Sequence, residues 1–220
     1  MFITLEGIEG SGKSTQISRL VAALEQRGHV CVYTREPGAT AVGKKIRHIL
    51  LDSENRGLVP LAELLLYEAD RAQHVCEVIE PAVNQGKVVV SDRFFDATVV
   101  YQGYARGFNL EFIDIVHRHV LKQHVPDLTL LLDLPVEIGL KRAWKRIAGK
   151  SKDLREDRFE KEDRAFHERV RQGYLTVAER EPDRFRIIDA LQDPSEVHEE
   201  ILRTVLEVMG RYDSRFNQLS

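Results

Sequence analysis

"GIEGSGKST" occupies residues 7–15 of a 220-residue chain, directly after the apolar, β-rich run "FITLE" at 2–6. Three glycines in nine residues would weaken a helix or strand interior, because glycine gives up the most backbone entropy on ordering. From Gly7 to Ser14 the stretch matches G-x-x-x-x-G-K-[ST] at every fixed position. Glycines let backbone N–H groups turn inward and approach phosphate oxygens closely. Lys13 then sets a point charge between the β- and γ-phosphates, and the Ser14 hydroxyl is a magnesium ligand. Beyond it, Ile17, Leu20, Val21 and Leu24 recur at helical spacing, so a helix opens with its positive end toward the same anion. The expected phosphate loop spans 7–14. Gly7, Ile8, Glu9, Gly10, Ser11, Gly12, Lys13, Ser14 and Thr15 surround the phosphates of a nucleoside triphosphate.

Strand and helix patterns alternate outward from this loop. Gly28 is placed to close the first helix. "VCVYT" (30–34) reads as a strand, 60–85 as helix starting at Pro60, and "KVVVSD" (87–92) as a buried strand. "LTLLLD" (128–133) is another buried strand and "RFRIID" (184–189) a weaker one. Helical patterns cover 135–147, 160–180 and 195–209. Such alternation predicts an α/β fold of the P-loop NTPase type, with a five-stranded parallel sheet covered by helices on both faces. Four of the strands end in Glu6, Asp92, Asp133 and Asp189, at the edge where ligands gather in such sheets. The length suits one domain, 1–220.

Composition narrows the classes. Net charge is −3, so no global basic field points to nucleic acid. No apolar run approaches the roughly 18 residues of a spanning helix, and the N-terminus lacks a basic leader. Cys31 and Cys76 form no metal-type spacing and read as reduced thiols of a cytoplasmic protein. Neither N-K-x-D nor D-x-x-G occurs, which counts against a signalling GTPase, and a large ATP-driven motor would need more chain. A small-molecule kinase needs a second pocket for an acceptor and cations to neutralise the transferring group.

"SDRFFDATVVYQGYARG" (91–107) supplies that pocket, and its D-R-F-x-x-x-T-x-x-Y-Q-G pattern resembles bacterial thymidylate kinase. "TREPGAT" (34–40), "IRHIL" (46–50), Tyr67 to Arg71, "PDLTLLLD" (126–133) and "FHERVRQGYL" (166–175) are similar to that family in the same order. The resemblance implies transfer of the γ-phosphoryl of ATP to dTMP with magnesium, in a cytoplasmic homodimer. Another pyrimidine monophosphate as acceptor and a non-catalytic nucleotide-binding switch are the alternatives.

By the same resemblance Arg93 holds the dTMP phosphate, as a planar guanidinium suits, and Arg47 also contacts dTMP. Tyr67 stacks on thymine, Arg71 hydrogen-bonds a thymine carbonyl, and Thr98 and Gln102 face base and sugar. Tyr101 packs against the deoxyribose C2′ and would exclude a 2′-hydroxyl. Glu9 and Glu36 approach the sugar hydroxyl or the magnesium shell, Asp92 is the second candidate magnesium ligand, and Arg142 belongs to the ATP site. Ala39 replaces the second glycine of "REPGGT", and Val100, where relatives often have alanine, would tighten the pocket. His117, His119 and His124 are expected as surface or core residues.

Some relatives carry an arginine inside the phosphate loop, where this chain has Glu9. Those without one supply arginines from a lid. The charged segment 145–163, with Arg146, Arg155 and Arg158, stands where that lid falls. A lid over about 146–160 is expected, with Arg158 as the first catalytic candidate and Arg146 as the second.

Overall fold

A computed structural model describes residues 1–55, 57–148 and 157–216. Arg155 and the middle of the expected lid lie outside them. The central strand β1 (Phe2–Glu6) pairs on one side with β3 (Val88–Asp92), which pairs with β2 (Cys31–Arg35). On its other side it pairs with β4 (Leu128–Asp133), which pairs with β5 (Phe185–Asp189). Every pairing is parallel, in the order β2-β3-β1-β4-β5. The apolar runs at 88–90 and 130–132 are what a sheet buried on both faces demands.

The helices are α1 (Lys13–Glu25), α2 (Ala41–Leu51), α3 (Pro60–His74), α4 (Glu80–Asn84), α5 (Phe95–Thr98), α6 (Leu110–Leu121), α7 (Val136–Ala148), α8 (Arg164–Arg180) and α9 (Pro194–Phe216). Ile17, Leu20 and Leu24 of α1 share a buried cluster with Ile3, Leu5, Ile201 and Val205. Phe2 and Val89, alternating with their strand neighbours, enter a second cluster with Val75, Ile79, Phe94 and Leu121. Two-residue alternation on the strands thus meets helical spacing on both sides of one sheet.

Four features differ from the sequence reading. β2 begins and ends one residue later than predicted. α8 starts at Arg164 because Asp163 caps it, its Oδ1 accepting from the Phe166 N–H at 2.6 Å. Val75–Ile79 and Val99–Ala105 are π-helical, a winding that apolar periodicity does not signal. Val100 is fully buried in the core rather than in the pocket, because the turn that carries it packs on α8; a Cβ added at Gly173 of that helix would lie 3.2 Å from it. Among the described residues no helix is long and apolar enough to cross a membrane, and Cys31 and Cys76 are free thiols.

Candidate active site

The phosphate loop links β1 to α1 and is shaped by backbone that only glycine adopts easily. Gly7, Gly10 and Gly12 have φ of 136°, 74° and 97°. Packing adds a second constraint at Gly10, where a Cβ would stand 2.1 Å from the Gly139 carbonyl oxygen. Gly139 in turn allows α7 to approach the Glu9 carbonyl. The first turn of α1 has no side-chain cap and no acidic residue, which leaves its N–H groups for an anion. Lys13 arches back over the loop, its Nζ donating to Gly7 O at 2.9 Å and Ile8 O at 3.0 Å. Burial and then the Arg93 charge lower its pKa to about 8, against the pull of Asp92, Glu9 and Glu6.

Arg93 follows β3 with φ of 69°, a left-handed backbone that is costly for a side chain bearing a Cβ. Its N–H donates to Leu5 O at 3.0 Å, and its carbonyl accepts from Ser91 Oγ at 2.7 Å. That backbone aims the guanidinium across the sheet edge. Nη2 donates to Gly7 O at 3.2 Å, to Glu9 Oε1 at 2.9 Å and to Tyr101 Oη at 2.9 Å. Tyr101 donates its hydroxyl proton to Glu9 Oε1 at 2.5 Å. Burial alone would raise the Glu9 carboxyl, but Arg93, His167, Lys13 and Tyr101 hold it well below the usual carboxylate range. Glu9 is therefore a fixed anion between cations of both halves of the site.

A cavity of about 480 Å³ opens along these groups. It is lined by Glu9 to Thr15 on one side and by Glu36, Arg47, Tyr67, Arg71, Asp92, Arg93, Thr98, Tyr101 and Gln102 on the other, with Arg142 and Arg146 along α7. Gly7 and Ile8 do not line it. Gly7 instead lends its carbonyl to Lys13 and Arg93, and the Ile8 side chain is buried. Tyr67 and Arg71 reach the cavity from one face of α3, as their spacing predicts. Thr98, Tyr101 and Gln102 reach it from α5 and the π-helical turn behind it. Ser14 Oγ donates to Asp92 Oδ2 at 3.1 Å, which puts a hydroxyl and a carboxylate side by side at the mouth of the loop. Two such oxygens suit magnesium, which keeps waters and phosphate oxygens for its other positions.

Arg71 is fully buried in a polar web. Its Nε donates to Glu36 Oε2 at 2.9 Å and its Nη2 to Thr98 Oγ1 at 3.1 Å, while Nη1 is bound to Glu68. His74 holds the other Glu36 oxygen at 2.8 Å. Arg47 donates to Pro37 O at 2.8 Å, in the loop that follows the cis Glu36–Pro37 peptide. In that loop φ is positive at Gly38 and not at Ala39, so alanine replaces the family's second glycine without conformational cost.

Asp70 braces the same loop, its Oδ1 accepting from the Gly38 N–H at 3.0 Å. Burial and then the neighbouring Glu36 charge push its carboxyl from 3.8 up to about 6. Ionising it costs the fold free energy, a penalty absent below the ordinary carboxylate range and complete above about pH 6. Asp70→Asn keeps an oxygen for Gly38. We expect it to exceed the parent in stability by at most about 3 kcal/mol near pH 8 and to lose that advantage near pH 4. Denaturant titrations at the two pH values check this; an advantage that grows toward acid contradicts it.

Arg158 departs from expectation. It is paired with Glu63 and donates to Leu50 O at 3.0 Å, outside the cavity. Glu63 is fully buried and also accepts from Gln102 at 2.8 Å and Arg106 at 2.7 Å; a carboxylate so placed requires cations. Arg146 does line the cavity, 3.3 Å from Glu160 Oε1. Of the four acidic strand ends, Asp92 alone lines it. Glu6 lies buried below with its carboxyl pushed up to about 8, chiefly by burial, Asp133 grips Arg171 at 2.8 Å, and Asp189 Oδ1 accepts from the Leu191 N–H at 2.9 Å. His117 and His124 are buried and His119 is exposed, none of them lining the cavity. Tyr33, Arg35, Glu63, Glu160 and His167 were not anticipated. Glu63 had a signal, standing four residues before Tyr67 on one helix.

Lys13 and Arg93, both lining the cavity, meet on one carbonyl, that of Gly7, and so bring together two cations of the kind that a phosphoryl transfer between two anions needs. Together with the fold this defines a P-loop kinase of small phosphorylated acceptors. A model of the thymidylate kinase family matches residues 5–201, and the chain belongs to that family. It is 60% identical over 197 residues to the thymidylate kinase of Desulfosudis oleivorans, covering 90% of this chain and 92% of that one. With the thymidylate kinase of Desulforapulum autotrophicum it shares 57% over 210 residues, 96% of this chain and 92% of that one. The crystal structure of thymidylate kinase from Ehrlichia chaffeensis superposes with a TM-score of 0.74 at 32% identity, covering 94% of this chain and 98% of that one.

Proposed function

We propose that Lys13 and Arg93, which line the cavity and share Gly7 O beneath it, mark where the donor and acceptor phosphates meet, and that the cavity residues divide the labour around them. The protein transfers the γ-phosphoryl of ATP to dTMP, giving dTDP and ADP. The acceptor phosphate has a second pKa near ~6, so at neutral pH it attacks without a general base. What the site must supply is charge neutralisation and alignment. Lys13 and the N–H groups of the loop hold the ATP phosphates, and Arg142 flanks the nucleotide. Arg93 holds the dTMP phosphate, helped by Arg47. Ser14 and Asp92 would hold magnesium, which would supply positive charge to neutralise the donor phosphate.

Tyr67 stacks on thymine, Arg71 donates to a thymine carbonyl, and Thr98 and Gln102 complete the base and sugar pocket. Tyr101, pinned by Glu9 and Arg93, closes the space a 2′-hydroxyl would need. Glu36 orients Arg71, and the Glu9 carboxylate orients Arg93. Arg146 is the lid cation favoured by position, and Arg158 braces the lid base on Glu63. We read the 220 residues as one cytoplasmic domain that dimerises through α3 and α6, where Leu61, Leu65, Phe112 and Ile115 are exposed.

The observation that carries this reading is the shared hold of Lys13 and Arg93 on Gly7 O. Its test is ADP release with dTMP, dUMP, UMP, CMP and AMP offered in parallel. We expect dTMP to lead dUMP in kcat/KM by about tenfold or more, the worth of one methyl in a filled pocket. Preference for another acceptor assigns a different monophosphate kinase. ADP release indifferent to all five favours the switch.

A further inference from the structure

His167 belongs to none of the roles above, yet it sits against the centre of the site. It lies in the first turns of α8, is fully buried, and packs edge-on to Phe166 with ring centroids 5.6 Å apart. Its Nδ1 is 3.4 Å from Glu9 Oε2. Among the described residues neither Glu9 Oε2 nor either nitrogen of His167 has a hydrogen-bond partner. Glu9 thus uses its two oxygens differently: Oε1 takes Tyr101 and Arg93, and among the described residues Oε2 has His167 alone at ion-pair distance.

We infer that His167 is a positioning residue for the dTMP side of the site, donating from Nδ1 to Glu9 Oε2 and so fixing the carboxylate that holds Arg93 and Tyr101. Two buried polar atoms left unpaired and facing one another each carry a desolvation cost, and a shift of a few tenths of an ångström satisfies both. Hydrogen bonds in such sites are often long before substrate is bound and tighten when it is. The neutral Nδ1–H tautomer suffices, leaving Nε2 as a lone-pair nitrogen rather than a buried unpaired N–H. His167 touches no reacting atom. It acts through Glu9, one oxygen away from the phosphate-binding guanidinium and from the ring that faces C2′.

The consequence is a signature that plain packing lacks. Without the Nδ1 donor the Glu9 carboxylate can swing, and Arg93 and Tyr101 lose a common anchor. Acceptor binding and discrimination against a ribose should weaken together, while ATP affinity stays. The inference rests on the dTMP kinase reading, and wild-type ADP release with dTMP tests that reading separately in the same assay.

The experiment compares His167→Phe, which keeps an aromatic ring without a donor, with His167→Asn, whose amide nitrogen falls near the position of Nδ1. For each, kcat and KM are measured with dTMP, ATP and the 5′-monophosphate of ribothymidine, and Tm records folding. For His167→Phe we expect KM for dTMP to rise about tenfold, the loss of one hydrogen bond to a charged group. The dTMP-to-ribothymidine preference should fall by a similar factor, with KM for ATP within about twofold. His167→Asn should recover most of both. The inference is overturned if folded His167→Phe keeps KM for dTMP and the sugar preference. It is equally overturned if His167→Asn loses as much as His167→Phe, or if KM for ATP rises in step with that for dTMP, since these mark a packing role. Should His167→Phe not fold, the asparagine variant decides alone: parental KM and sugar preference support the inference, and loss of either overturns it.

Discussion

Lys13→Ala should lower kcat by about 10³-fold while leaving Tm essentially where it was, since removing one preorganised charge from a transferring phosphoryl group costs about that much. The two halves of this expectation come from one environment. Lys13 is buried, and burial together with the Arg93 guanidinium lowers its pKa to about 8. Like charges held this close disfavour the folded state, so deleting the ammonium relieves a repulsion. It also strands few groups: Gly7 O retains Arg93, and Ile8 O retains the Ser11 N–H at 3.4 Å. What disappears is a charge held ready for the phosphates. Single-turnover rates with saturating ATP and dTMP, beside a melting curve, read both halves. A kcat within tenfold of the parent would remove Lys13 from the chemistry.

That loop was the most legible part of the chain. Its pattern is local: the fixed residues fall within eight positions, and the positive φ at Gly7 and Gly12 is a requirement set within the loop itself. The strands were legible for a related reason: burial on both faces leaves the apolar runs at 88–90 and 130–132 no other home. The π-helical turn at Val99–Ala105 was not, because it is imposed by what surrounds it. Residues four apart there do not sit one above the other as in an α-helix, yet Thr98 and Gln102 both reach the cavity. The same gap explains Val100, expected in the pocket and found in the core.

Arg158 shows a different limit. Sequence places an arginine in a segment but not the anion it will meet, and Glu63, 95 residues earlier, proves to be that anion. Glu63, Glu160 and His167 escaped notice because their interest lies in partners distant in the chain. Asp70 did so because its raised carboxyl comes from burial beside Glu36.

Arg93→Ala should lower kcat/KM for dTMP by about 10³-fold on the role proposed above, because the guanidinium assigned to the acceptor phosphate is lost. Unlike the lysine variant it should also be less stable, by about 3 kcal/mol, since a buried carboxylate is left without its cation. Backbone strain does not enter the comparison: at φ of 69° alanine and lysine carry the same Cβ as arginine. The pH dependence identifies Glu9 as the stranded partner. In the parent Glu9 has a depressed carboxyl pKa, so its contribution is present at neutral pH and lost as acid protonates it. Without Arg93 burial weighs more against His167, Lys13 and Tyr101, so the pKa rises and less of that contribution remains at neutral pH. The stability deficit of Arg93→Ala should therefore be larger near pH 7.5 than near pH 5, as denaturant titrations at both would show. Arg93→Lys separates the two functions. It returns a charge to Glu9 but not the planar fork that meets a phosphate with two N–H groups, so it should restore most of the stability and little of kcat/KM. If lysine restores catalysis as fully as stability, Arg93 acts as a bare charge and the bidentate grip assigned to it is wrong.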